Sequence, residues 1–90
     1  MDLSVVDLSP IPDGGTASDA YANTVETARQ AERLGYSRFW VAEHHGLTET
    51  LAGTTPEVLL GRLAAETDSI RLGSGAILLN HYSPFKIAEV

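Results

Sequence analysis

Residues 31–47, AERLGYSRFWVAEHHGL, contain the step on which the fold turns. Charged residues give way at Leu34-Gly35 to SRFWVA (37–42), a segment too short and too aromatic for a helix, which ends abruptly in Glu43-His44-His45 and a glycine. Glycine at 35 stands where a helix C′ residue belongs, so the stretch reads as a helix end, then a strand, then a polar loop.

Upstream, residues 18–34 keep a period of 3.6. Tyr21, Val25 and Ala28 form one line, Ala20, Thr24, Ala31 and Leu34 widen it, and Glu26, Arg29, Glu32 and Arg33 fall mostly outside it. Thr16 with Asp19 three residues on resembles a capping box. Before it, LSVVDL (3–8) predicts a strand, and SPIPDGG, with two prolines and two glycines, predicts a loop.

Downstream, the loop runs from residue 46 to Thr55. Thr55-Pro56 supplies an N-cap followed by proline at N1, and EVLLGRLAAET continues with Val58, Leu59, Leu63 and Ala64 toward a core. Gly61 inside that helix costs about 1 kcal/mol of propensity, a cost usually met where another backbone must approach. SIRLGSGAILL (69–79) predicts a third strand with embedded glycines, and Ser83-Pro84 repeats the cap signal before FKIAEV starts a helix that is still running at Val90.

The order is β-α-β-α-β-α, with strands starting near residues 3, 37 and 70, a repeat of about 33 residues. Crossover helices of this kind imply parallel strands, and the nearly continuous apolar runs imply a sheet covered on both faces. Open doubly wound sheets and closed (β/α)8 barrels both use this unit. A barrel takes about 250 residues, so residues 1–90 are expected to be a single incomplete α/β domain: three βα units, truncated in the third helix.

Composition narrows the function. A net charge of −6, with six scattered Lys and Arg, argues against nucleic acid or an anionic membrane as partner. The absence of cysteine excludes disulfides and zinc-thiolate sites and fits a reducing compartment. MDLSVVDLSP has an acidic residue where a signal peptide is basic, and no run approaches the ~20 apolar residues of a membrane helix, so a soluble cytoplasmic protein is expected.

Ligands of parallel α/β folds sit at the carboxyl ends of the strands. Three ends are visible: Asp7-Leu8-Ser9-Pro10, Glu43-His44-His45, and Gly73-Ser74-Gly75-Ala76 running on to Asn80-His81. A metal is one reading of the second. Strand alternation sends His44 away from Glu43 and His45, so Asp7 would have to supply a third ligand, and the i, i+4 spacing of a zinc protease helix is missing. The histidines could instead close the strand by bonding to the next loop. A third reading is proton chemistry, because an imidazole both donates and accepts near neutral pH and a neighbouring carboxylate favours its charged form. GSGA (73–76) places a run of small residues where a flat ligand could approach backbone, or where the strand could bulge, or where chains simply pack closely. It is not the G-x-G-x-x-G fingerprint. His81 and Tyr82 read as structural loop residues.

Taken together, LSVVDLSPIPDGGTASDA, AERLGYSRFWVAEHH and PEVLLGRLAAETDSIRLGSGAILLNHYSPFKIAEV resemble the N-terminal part of the luciferase-like flavin-dependent monooxygenases, over essentially all 90 residues. The resemblance implies a (β/α)8 barrel that binds reduced FMN, activates O2 and oxidises a small organic substrate, with a flavin reductase as possible partner and a dimer as assembly. It makes His44 the histidine that handles protons at the flavin or substrate, and Glu43 a lining residue that helps to position the ring system. It puts Gly75-Ala76 at the third-strand bulge on which the isoalloxazine rests, often through a non-proline cis peptide. Relatives on the same barrel use the deazaflavin F420 for hydride transfer, which is the alternative cofactor. No metal site is implied. The loop GLTETLAGTT (46–55) departs from the family's pattern after the two histidines, and the family's FMN-phosphate residues belong to later units. The 90 residues alone are therefore expected to be inactive.

Overall fold

A computed structural model describes residues 1–90. Three parallel strands, β1 (Ser4–Asp7), β2 (Arg38–Val41) and β3 (Arg71–Ser74), lie in the order β1-β2-β3, joined by α1 (Ala17–Arg33) and α2 (Pro56–Glu66). A 3-10 turn, Leu79–His81, and α3 (Pro84–Glu89) follow β3. The register aligns Val5, Phe39 and Leu72 in one row and Val6, Trp40 and Gly73 in the next. Successive side chains of a strand face opposite ways, so the first row meets the helices and the second turns away from them.

The core forms on the helix side. Val25, Ala28 and Ala31 of α1 and Leu59 and Leu63 of α2 pack with Phe39, Val41 and Ile70, flanked by Val5, Tyr21, Tyr36, Leu60 and Leu72. The expected cover on both faces is not observed: Val6, on the other face, is 61% exposed. The two helices and β2's Phe39 and Val41 account for the apolar runs on one side only, and three units bring nothing to the second side.

The first helix begins and ends as its sequence predicts. Thr16 accepts from the Asp19 amide while the Asp19 carboxylate accepts from the Thr16 amide, a complete capping box. At the other end Tyr36 N donates to Ala31 O and Gly35 N to Glu32 O, with Gly35 at φ +80°, so the last carbonyls are satisfied by a Schellman turn. That turn swings Leu34 out to 73% exposure, which corrects its placement on the core face, and brings Tyr36 in against the core instead.

Four other expectations are corrected. Val58 and Ala64 are exposed, because α2 rests on the sheet through Leu59 and Leu63 with Leu60 beside them. Gly61 has no neighbour within 4 Å of a Cβ position, so no backbone approaches it. Thr55 precedes α2 but makes no side-chain cap bond; its hydroxyl lies 3.3 Å from that of Thr54. The third strand ends at Ser74 rather than running to residue 79: Gly75 N still reaches Val41 O at 2.7 Å, but the Ser74 hydroxyl donates to Ala76 O and turns the chain off the sheet. All peptide bonds are trans, Gly75-Ala76 included. No helix is long and apolar enough to cross a membrane.

Candidate functional site at the carboxyl end of the sheet

The three strand ends converge as the topology requires. At the end of β1, Ser9 sits buried at φ +52°, a conformation that non-glycine residues seldom adopt. It is held there by its amide on Asp7 Oδ1 (2.6 Å), by Ala52 N on its carbonyl (2.9 Å), and by Thr24, whose hydroxyl lies 3.0 Å from Asp7 Oδ1 and 2.9 Å from Ser9 Oγ. Asp7 is therefore committed to α1 and to its own turn, not to the histidines that follow β2. Tyr21 of α1 donates its hydroxyl to Ala52 O and ties down the loop after β2. Gly53 belongs to the same junction: a Cβ there would stand 3.1 Å from Ala42 O and 3.2 Å from Leu8 O.

Two residues past β2, the Glu43 side chain is completely buried. Oε1 accepts from His45 Nε2 and from the Tyr82 hydroxyl, each at 2.7 Å, and Oε2 accepts from Leu78 N at 2.9 Å. Burial alone would push this carboxyl up. The His45 ring N–H, the Leu78 amide and the Tyr82 hydroxyl outweigh it and hold the group down at about 2, so it is a carboxylate near neutral pH. An ionised carboxylate only accepts, which makes His45 Nε2 and Tyr82 the donors. The bond to Glu43 in turn pushes the Tyr82 hydroxyl up to about 12, with burial and the charges of Glu43 and Glu57 adding to it.

A second polar layer lies outside this one. Lys86 of α3 stands 4.6 Å from the centre of the Tyr82 ring and 3.1 Å from Glu57 Oε1 of α2. Glu57's own amide, then Lys86, hold its carboxyl below the usual range. The His81 ring meets the His45 ring edge-on, with centroids 4.8 Å apart.

His44 differs from both neighbours. Its amide donates to Gly53 O at 2.8 Å, and its ring is half-buried with Nδ1 sealed from solvent and bonded to nothing in the chain. A buried polar atom without a partner is costly, and such atoms are few in folded proteins. Gly75 and Ala76 are exposed just beyond β3. The Trp40 indole, on the same sheet face, fills the space over Gly73, where a Cβ would fall 2.6 Å from the ring, and its nearer edge reaches to 3.7 Å from a Cβ at Gly75. The structure thus brings Glu43, His45, His81 and Tyr82 into one cluster and sets His44 apart from it. The importance of Tyr82 and His81 was not visible from their loop position. The one sequence signal was the aromatic and imidazole pair next to the Ser83-Pro84 helix start.

The sequence profile of the luciferase-like monooxygenases matches residues 1–90. The N-acetyl-S-alkylcysteine monooxygenase of Bacillus subtilis is 56% identical over 87 residues, which is 97% of this chain and 26% of that protein. A luciferase-like monooxygenase of Escherichia coli is 46% identical over the same span. Among solved structures, apo-MsnO8 superposes with a TM-score of 0.92 at 51% identity, covering 98% of this chain and 26% of its own. The oxygenating constituent of 3,6-diketocamphane monooxygenase from Pseudomonas putida, a type II Baeyer-Villiger monooxygenase in complex with FMN, gives 0.83 at 26% identity, covering 98% of this chain and 24% of its own. The chain spans about a quarter of the length of the relatives it matches.

Proposed function

The chain belongs to the luciferase-like monooxygenase family, and from that premise we propose that it forms three βα units of a (β/α)8 flavin-dependent monooxygenase acting on a small organic substrate with reduced FMN and O2. The observation that carries the reading is the unpartnered, buried Nδ1 of His44 at the carboxyl end of β2, beside a third strand that ends in exposed small residues. A polar atom held in that way is short of one hydrogen-bonding partner, which a bound ligand can supply.

The residues present fit a flavin. Gly75 and Ala76 offer backbone with little side chain, His44 offers one free ring nitrogen, and Trp40 offers an aromatic surface on the same face. Reduced FMN, when bound, supplies the electrons with which O2 is activated. The chain's own contribution is to hold and move a proton at His44, and to present the Gly75-Ala76 backbone to the ring system. Glu43 serves by fixing the wall from behind, since its side chain has no exposed surface. A flavin reductase supplying the reduced cofactor, and a dimer as the working assembly, complete the proposal.

The 90 residues alone are expected to show no turnover. Titration of the full-length protein with FMN and with F420 tests the cofactor, and tight F420 binding without FMN affinity would overturn the FMN reading. In the same protein, His44→Ala is expected to lower turnover ~10²-fold, the size of a typical general acid-base contribution, with the fold retained by circular dichroism. Unchanged turnover would return His44 to a packing role.

A further inference from the structure

The segment after β3 is anchored almost entirely by polar contacts. No residue of the 3-10 turn or of α3 is buried, and Phe85 is 74% exposed. Within these 90 residues, Ile77, Leu78 and Ile87 are the only apolar side chains past Ala76 that are even half-buried, so apolar packing of the kind that fixes α1 and α2 contributes little to holding this segment against the sheet. Past Gly75, whose amide still bonds Val41 O, the hydrogen bonds that reach the rest of the molecule are Leu78 N on Glu43 Oε2, the Tyr82 hydroxyl on Glu43 Oε1, and Lys86 on Glu57. Two of these three anchors end on one carboxylate.

That carboxylate is also where His45 is spent. Its Nε2 proton points to the oxygen that Tyr82 uses, so Glu43 carries three donors and that nitrogen of His45 is committed to the carboxylate, while the adjacent His44 keeps an unpartnered nitrogen. Hydrogen bonds to a charged group are the stronger kind, and three on one buried carboxylate specify its surroundings closely.

We propose that His45 and Tyr82 are positioning residues: with Glu43 they form a latch that docks the β3–α3 connection on the end of β2, and so set the Gly75–Leu78 backbone that forms one wall of the site. The consequence for flavin rests on the function proposed above, whereas the latch itself does not. Neither residue need touch substrate or cofactor. The two adjacent histidines divide the work, one bonded to the carboxylate that holds the wall and the other keeping an unpartnered ring nitrogen.

The test uses the full-length protein with Tyr82→Phe, which keeps the ring under Lys86 and removes only the donor, and Glu43→Gln, which spoils the acceptor set. Amide hydrogen exchange at Leu78 is compared with that at Phe39 in the core, and the FMN dissociation constant is measured by titration. In both variants Leu78 is expected to exchange roughly tenfold faster or more, as loss of a bond to a charged group implies, with Phe39 unchanged. FMN binding is expected to weaken by a similar factor. Unchanged exchange at Leu78, or equal acceleration at Leu78 and Phe39, would overturn the latch, the second because it marks a general loss of stability. Faster Leu78 exchange with unaltered FMN affinity would overturn the positioning role. If the wild-type protein binds no FMN, the flavin reading fails, and the exchange comparison still decides the latch.

Discussion

At Gly61 the chain carries a residue that its surroundings do not require. Nothing lies within 4 Å of a Cβ there, and the position is in the middle of α2. Gly61→Ala should therefore stabilise the protein by about 0.5–1 kcal/mol, read as a higher unfolding midpoint, because alanine loses less backbone entropy in a helix. Gly73 is the opposite case. A Cβ there would stand 2.6 and 2.8 Å from two atoms of the Trp40 ring, so Gly73→Ala must displace the indole, an overpacking expected to cost about 1–3 kcal/mol. Trp40 is the chain's one tryptophan, and a shift in its fluorescence maximum would report the displacement directly. Sequence alone marked both glycines as exceptions within their elements and could not tell which of them had a neighbour. Only the crossing of β2 and β3 in register puts an aromatic ring over one of them.

Among the elements, α1 is the one whose limits were most legible, predicted over 18–34 and observed over Ala17–Arg33, because its capping box and its C′ glycine are local. Removing the cap with Thr16→Ala should cost about 1 kcal/mol, the usual loss for an N-cap hydroxyl, measurable by denaturant titration. The sequence predicts too long a third strand because residues 75–79 are as apolar as a buried strand. What stops it is a side-chain bond from Ser74 to Ala76 O together with the capture of Leu78 N by Glu43. The second of these joins residues 35 positions apart, and no local pattern carries such information. The same applies at the start of that strand, where the Glu32 carboxylate of α1 accepts from the amides of Ser69, Ile70 and Asp68 and is held at about 2 as a result.

For the whole molecule, Glu32 and Glu43 set the acid limit. Both folded values lie near 2, against about 4.5 for an unperturbed glutamate. A carboxyl lowered on folding contributes stability that is fully present above the unfolded value and is lost as pH falls through the folded one. Stability should therefore decline between about pH 4.5 and 2, and a Glu32→Gln variant should show a shallower decline across that window in acid titrations followed by circular dichroism. Only 16 of the 90 residues are buried, and β1 and β3 each leave an unpaired edge beside an uncovered face. The 90-residue chain on its own is accordingly expected to self-associate, with an apparent mass in sedimentation that rises with concentration. The sequence by itself determined the α/β class, the order and repeat of the units, the caps of α1 and α3, and the collection of chemical groups at one end of the sheet, since periodicity and turn chemistry are short-range. Tertiary structure alone decided that Glu43 lies buried under three donors, that His45 and Tyr82 share it while His44 stays free, and that only one face of the sheet is covered. Each of those facts depends on contacts between segments far apart in the chain, and these form only once the parallel register has brought the strand ends together.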